Sequence, residues 1–202
     1  SYNISIFNKF YSHKSFNYID SLVSFIRDIN PDVICFQEYY NNKVADTQLN
    51  NYLKKTLNMP YMKNHIYKER YDEHEFGIAT FSKYPIIKTE TLLNVNYSHT
   101  KQTSNFATYS DIVIKNDTIR FYNLHLESNR LSSEDIFFSS FEDITEINID
   151  NIPSKSKIVL SKLRKCIILR SRQIVPIKEN INNSPYPVII AGDFNDVPAS
   201  WT

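Results

Sequence analysis

The sequence predicts an α/β fold, and two features of its apolar pattern support this prediction. Segments with strand-like and helix-like patterns alternate along all 202 residues, with no repeat and no low-complexity linker between them. Short apolar runs such as Val188–Ala191 are rich in β-branched residues and end in polar turn residues, which is typical of buried strands. We therefore interpret residues 1–202 as one domain.

The first predicted elements are a strand, a helix, a second strand and a second helix. Tyr2–Phe7 alternates apolar and polar residues, and Phe16–Ile29 carries apolar residues at helical spacing and is ended by Pro31. The stretch "DVICFQE" then predicts a buried strand that ends at Glu38. Val44–Leu57 is the second helix candidate.

Five further strands and one long helix are predicted next. The strand candidates are rich in β-branched and aromatic residues, and they are Tyr61–Tyr67, Phe76–Phe81, Ile86–Leu93, Phe106–Ile114 and Thr118–Leu126. The stretch "IKNDTI" predicts a hairpin between the last two. Ser154–Ile181 keeps one apolar helical face, in which Pro176 predicts a kink or break. The acidic, irregular segment 128–154 is either a functional lid or a mobile surface insertion.

Charge and cysteine content limit the classes of function. Twenty-three Lys and Arg against 22 Asp and Glu leave a formal charge of +1, which argues against a globally basic surface for long nucleic acids but leaves a local basic groove open. Cys35 and Cys166 lie in apolar patterns and are predicted to be buried thiols that do not form a disulfide.

The two ends of the sequence bear on its localisation. No stretch approaches the roughly 18 consecutive apolar residues of a membrane span, and the first residues lack the layout of a signal peptide. We expect the polypeptide to be soluble. Because Ser1 is not an initiator methionine and a strand pattern begins at Tyr2, we interpret the sequence as a fragment of a longer protein, which leaves the localisation open.

Five polar residues share a position at, or just beyond, the end of a predicted strand: Asn3, Glu38, His125, Asp193 and Asn195. Singly, each has an ordinary explanation, such as a turn cap, an ion pair or a core histidine. The only two glycines, Gly77 and Gly192, lie beside these strands, where backbones must approach closely. Because ligands of α/β sheets bind at the carboxyl ends of strands, the set predicts an active site.

Several motifs carry a family resemblance. "NISIFN", "PDVICFQE", "GIATFSKYPII", "DTIRFYNLHLES" and "PVIIAGDFNDVPAS" occur in the order and rough spacing of the endonuclease/exonuclease/phosphatase superfamily, and the sequence resembles this family over essentially its whole length. The resemblance implies a four-layered α/β sandwich of two mixed β-sheets flanked by helices. It also implies that the fold is incomplete here, since the family continues past "GDFN" with further strands and a closing Asp-His pair.

The resemblance implies a role for each of the five polar residues. Glu38 resembles the family's metal-binding glutamate, and Asn3 resembles the asparagine beside the metal. His125 is similar to the histidine that contacts the phosphate, while Asp193 and Asn195 resemble the pair that orients the attacking water and holds the phosphate. The implied cation is Mg²⁺, with Mn²⁺ as an alternative, and a cation that keeps several waters needs few carboxylates.

The resulting prediction is a Mg²⁺-dependent phosphoesterase that cleaves a phosphodiester or phosphomonoester by attack of activated water. Its substrate is expected to be a small molecule, a lipid headgroup or a short nucleic acid, and the protein is expected to be a monomer without an obligate protein partner. Three alternatives stay open: a catalytically inert binding module on the same fold, a DNase-like endonuclease, and a hydrolase whose full-length form carries an N-terminal membrane segment.

Overall fold

The computed structural model describes residues 1–4, 16–42, 46–70, 74–93, 106–129 and 154–196. Within these ranges the chain forms eight strands and three helices. In chain order they are β1 (Tyr2–Asn3), α1 (Phe16–Ile29), β2 (Val33–Asn42), α2 (Asp46–Thr56), β3 (Tyr61–Arg70), β4 (His74–Ser82), β5 (Ile86–Leu93), β6 (Phe106–Ile114), β7 (Asp117–His125), α3 (Ser154–Asn182) and β8 (Val188–Asp193). The predicted bounds of α1, β5 and β6 are confirmed, as is the hairpin that pairs Ile114 with Asp117.

The sequence predicted that the strand ends at Glu38, and this was wrong. The strand β2 continues to Asn42 through a β-bulge. Phe36 pairs with Ala79 and Tyr39 pairs with Gly77, so β2 contains one residue more than its partner between these pairs. Glu38 takes a left-handed φ of 51° within this bulge. A bulge re-aims a side chain while the strand goes on pairing, which is why a polar residue here does not terminate it.

The sequence predicted a kink or a break at Pro176, and of these two the break does not occur, because α3 continues through this residue. Buried residues on both sides of the proline, Leu169 before it and Ile177 after it, pack the helix onto the protein and offset the hydrogen bond that proline cannot make. None of the helices in the described parts of the chain is long and apolar enough to cross a membrane. Predictions for residues 5–7 and for most of segment 128–154 fall outside the described residues.

The strands form two mixed four-stranded sheets. The first sheet has the order β1-β2-β4-β3, with β1 parallel to β2, and the second has the order β5-β6-β7-β8, with β8 parallel to β7. An apolar cluster joins α1 and α2 to the first sheet, and a second cluster joins α3 to the second sheet. Helices therefore cover the outer face of each sheet, which confirms the predicted α/β sandwich.

A polar network lies in the layer between the two sheets. Gln37 of β2 and Asn123 of β7 are each 1% exposed, and the Gln37 Nε2 group donates a hydrogen bond of 2.7 Å to Asn123 Oδ1. Asn123 Nδ2 in turn donates to the carbonyl oxygens of Phe36 and Ala79, at 3.3 and 3.1 Å. Because a buried polar group without a partner is costly, this network fixes the position of one sheet against the other.

Gly192 allows β8 to lie close to β7. A Cβ atom at this position would stand 2.3 Å from the carbonyl oxygen of Leu124, a backbone atom that has no room to give way. The residue keeps an ordinary negative φ, so glycine is needed here for the close approach of two backbones and not for its torsional freedom. The resulting pairing places His125 beside Asp193.

Both cysteines are buried and neither forms a disulfide, as the sequence predicted. Burial raises the pKa of the Cys35 thiol to about 11, so the thiol stays protonated at neutral pH. Cys35 therefore contributes to the core as a small apolar side chain.

The amide network predicts a large stability loss on removal of Asn123. Asn123→Leu keeps the volume but removes one hydrogen-bond partner from two carbonyl oxygens and from the Gln37 amide, so the free energy of unfolding should fall by about 2–4 kcal/mol. Urea unfolding of the variant and of Asn51→Leu, an exposed site on α2, measures this. Equal stability of the two variants would contradict the role of the network.

His65 of β3 is predicted to make the free energy of unfolding depend on pH. Its Nε2 and Nδ1 atoms lie 2.8 and 3.1 Å from the hydroxyls of Thr89 and Thr91, which belong to the other sheet. Burial, and then the charge of Lys63, lower the pKa of this imidazole below its usual value near 6.5. The folded state thus binds the proton less tightly than the unfolded state does. The contribution of the neutral His65 imidazole to stability is complete above about pH 6.5 and is lost as the pH falls through the pKa of His65 in the folded state. His65→Gln should flatten the decline in unfolding free energy between about pH 7 and 5, and an unchanged decline would refute this origin.

Candidate active site

The five predicted site residues come from four strands that meet at one edge of the two sheets. His125 and Asp193 are paired neighbours at the carboxyl ends of β7 and β8, and Asn3 lies opposite Gln37 in the pairing of β1 with β2. Glu38 follows Gln37 directly in the bulge of β2. The Gln37–Asn123 bridge therefore stands one residue from Glu38 and two from His125, and it holds the two halves of the site together.

Direct contacts also cross between the sheets at this edge. Asn3 Nδ2 donates a hydrogen bond of 2.8 Å to Asp193 Oδ2. His125 Nε2 lies 3.9 Å from Glu38 Oε1 and 4.0 Å from Asp193 Oδ2. The imidazole is 2% exposed, whereas the two carboxylate side chains are 24% and 29% exposed. A buried imidazole thus lies beside two carboxylates that solvent can reach.

Asn195 closes a turn around Asp193. Its backbone N–H donates to Asp193 Oδ1 at 3.0 Å, and its φ of 52° is the left-handed conformation that asparagine tolerates well. Its side-chain Nδ2 donates to the carbonyl oxygen of Leu126 at 2.9 Å. An amide nitrogen carries two N–H groups, and one of these is engaged with Leu126.

A cleft of about 560 Å³ opens at the same edge. Asn3, Asp193 and Asn195 line it, together with Gln37 and Asn129 among others. Glu38 and His125 are outside the lining, so three of the five predicted residues face the cleft and two stand next to those that do.

Arg170 of α3 belongs to this region and was not predicted from the sequence. It is 2% exposed, and its Nη1 group donates to the Glu127 carbonyl at 3.0 Å and to Asn129 Oδ1 at 2.8 Å, while its Nε donates to Asp196 Oδ2 at 3.2 Å. One side chain thereby ties the segment after β7 to the segment after β8. The signal that could have found it is a charged residue on the buried, mainly apolar face of the helix.

The donor set suits a hard divalent cation. In the ranges that the structure describes, no three or more His, Cys, Asp and Glu side chains are grouped as a metal site. Glu38 and Asn3 offer a carboxylate and an amide oxygen, the ligand types that Mg²⁺ takes together with its own waters. Two carboxylates within 4.0 Å of one imidazole nitrogen also concentrate negative charge, which a bound cation would offset.

A family model identifies the class of protein. The model described as the Endonuclease/Exonuclease/phosphatase family matches residues 1–202. The chain belongs to this family, whose members are phosphoesterases. No similar sequence is found among curated proteins.

Solved structures share the fold. A β-hairpin deletion mutant of beta toxin from Staphylococcus aureus matches with a TM-score of 0.62 at 19% identity, over 98% of this chain and 67% of that one. TDP2 of D. rerio, complexed with single strand DNA product, gives 0.52 at 17% identity, over 89% and 54%. Another beta toxin mutant, with bound magnesium ions, gives 0.50 at 18% identity, over 84% and 53%. This chain thus spans 53% to 67% of the length of these structures, and identities this low show the fold alone.

Arg170 is predicted to stabilise the two segments that carry the site. Arg170→Met removes a buried cation from three acceptors and should lower the free energy of unfolding by about 3 kcal/mol. Hydrogen exchange should increase in residues 126–129 and 193–196 more than in α1. Arg170→Lys keeps the charge but not the fork of donors and should recover only part of the loss.

Arg172, two residues further along α3, is exposed and supplies the matched control. Arg172→Met should leave both the stability and the exchange of the two segments unchanged. If both methionine variants behave like the parent, Arg170 does not tie the segments together.

Proposed function

We propose that the protein is a metal-dependent phosphoesterase that hydrolyses a phosphodiester or phosphomonoester with Mg²⁺ or Mn²⁺. The observation that carries the proposal is that the carboxylates of Glu38 and Asp193 both lie within 4.0 Å of His125 Nε2, at the edge where the two sheets meet. These residues come from three different strands, so their meeting is a property of the fold and not of one local motif. Membership of a family of phosphoesterases supports the same chemistry.

Glu38 and Asn3 are the residues proposed to hold the cation. The Asn3 amide nitrogen donates to Asp193, beside His125, and an amide oxygen is a ligand type that Mg²⁺ accepts. When bound, the cation would polarise a phosphoryl oxygen and lower the pKa of a bound water. The magnesium ions in the beta toxin mutant named above are a precedent on the same fold.

Asp193 is proposed to orient the attacking water. Its two carboxylate oxygens each accept a hydrogen bond, from Asn3 and from the backbone of Asn195, so the group is held in one orientation. A fixed acceptor can align the lone pair of a water molecule with the phosphorus atom, which accounts for much of the rate in phosphoryl transfer. The solvent exposure of its side chain, 29%, gives that water access.

His125 and Asn195 are proposed to stabilise the negative charge that develops on the phosphoryl oxygens. The His125 imidazole, when protonated, donates from a site that water hardly reaches, and such a donor is worth more in a dry environment than in solution. The second N–H of the Asn195 amide adds a neutral donor from the cleft side.

The substrate is proposed to be a phosphoester whose reacting group enters the cleft lined by Asn3, Asp193 and Asn195. A cleft of about 560 Å³ accommodates a small molecule, a lipid headgroup or the end of a short nucleic acid. The fold neighbour TDP2, complexed with single strand DNA product, makes a nucleic acid end one of the substrates to assay.

The roles of Glu38 and His125 can be separated by metal titration. Glu38→Gln keeps the volume but deletes the anionic ligand, so the Mg²⁺ concentration for half-maximal hydrolysis of bis-p-nitrophenyl phosphate should rise and turnover should fall by roughly 100-fold or more. His125→Ala should lower kcat to a similar degree while Mn²⁺ affinity, measured by calorimetry, stays as in the parent.

Glu179→Gln on the exposed side of α3 is the matched control for the loss of one glutamate charge and should leave both quantities unchanged. A Glu38→Gln variant that binds Mn²⁺ and turns over like the parent would remove Glu38 from the site. Hydrolysis that is equally fast in the presence of a chelator would refute metal dependence as a whole.

A further inference from the structure

The helix α3 differs in charge from the rest of the chain. Among its 29 residues, eight are basic and one, Glu179, is acidic; the basic residues are Lys155, Lys157, Lys162, Arg164, Lys165, Arg170, Arg172 and Lys178. Since the whole chain has 23 basic and 22 acidic residues, 15 basic and 21 acidic residues remain elsewhere. A nearly neutral protein therefore concentrates its positive charge on one helix.

The solvent side of this helix also carries a row of large aliphatic side chains. Leu160, Ile167, Ile168 and Val175 are 51%, 44%, 41% and 64% exposed. Ile167, Ile168 and Val175 follow Leu160 by seven, eight and 15 residues, which places all four on one face of the helix. This row extends over about 22 Å of helix length. The opposite face, with Cys166, Leu169 and Ile177 among others, is buried on the protein.

The exposed aliphatic row lies among cations. Arg164 and Arg172 are exposed and each stands four residues after a member of the row, Leu160 and Ile168, so that they are neighbours on the helix surface. Lys157 and Lys165 are exposed as well. A helix with aliphatic and basic residues on its outer surface is typical of binding to an anionic lipid surface.

We propose that the outer face of α3 binds the surface of an anionic membrane. The aliphatic row would enter the boundary between headgroups and acyl chains, and the Lys and Arg side chains would contact lipid phosphates and carboxylates. The helix would lie in the plane of the membrane. This inference concerns where the protein is held and does not depend on the proposed phosphoesterase activity.

The positive charge and the exposed apolar area of α3 together favour an anionic membrane over a nucleic acid and over a second copy of the chain. A nucleic acid backbone would satisfy the cations but leave four aliphatic side chains in water, since phosphate and sugar offer them no apolar surface. A second copy of the chain would cover the aliphatic row but would bring one strongly basic helix against another, which is repulsive. An anionic bilayer satisfies both properties at once.

Vesicle co-sedimentation of the whole chain tests the proposal. The protein should sediment with vesicles of phosphatidylcholine and phosphatidylserine, bind phosphatidylcholine alone much more weakly, and be released as salt is raised. Arg164→Gln with Arg172→Gln, and separately Ile168→Ser with Val175→Ser, should each weaken binding roughly tenfold, because one pair removes charge and the other removes apolar area.

Exposed residues on α1 and α2 provide matched controls. Phe25→Ser with Ile29→Ser removes apolar side chains that are 53% and 57% exposed, and Arg27→Gln with Lys55→Gln removes two exposed cations. These pairs should bind vesicles like the parent, with circular dichroism confirming that all variants are folded. The proposal is overturned if control and α3 pairs lose binding equally, if the parent binds single-stranded oligonucleotides but not vesicles, or if it self-associates instead.

Discussion

The hydrogen bond between Gln37 and Asn123 is the contact on which the arrangement of this protein depends. It joins the two sheets directly, whereas the apolar cluster of each sheet connects that sheet to the helices on its outer face. Amides are directional, and a shift of one sheet along the other would leave several buried groups without partners. The bridge thus sets the register in which Glu38 and His125 come to face each other.

Two local irregularities complete that placement. The bulge in β2 turns Glu38 toward the second sheet while the strand continues, and the missing side chain of Gly192 lets β8 approach β7 closely enough for Asp193 to lie beside His125. Neither feature stabilises the fold by itself. A buried arginine behind the site, Arg170, then connects the two segments that leave β7 and β8.

Much of this architecture could be predicted from the sequence, because strand and helix periodicities are local and the polar residues at strand ends stand out against apolar runs. The polar network between the sheets could not be predicted in this way. Alternation along a strand such as "VICFQE" normally separates a core face from a water face, but here both faces are buried and the polar one meets a second sheet. The bulge at Glu38 and the burial of Arg170 were missed for a related reason, since both depend on partners distant in the chain.

The hydrogen bond from Asn3 to Asp193 joins residues 190 positions apart. Closing so long a loop has an entropic cost, so we expect this contact to form late in folding and not in its nucleus. During synthesis, Asn3 leaves the ribosome long before Asp193 does, so this contact cannot form until strands of both sheets have been made. A chain that has formed only its first sheet therefore holds Asn3 and Glu38 and still lacks His125, Asp193 and Asn195.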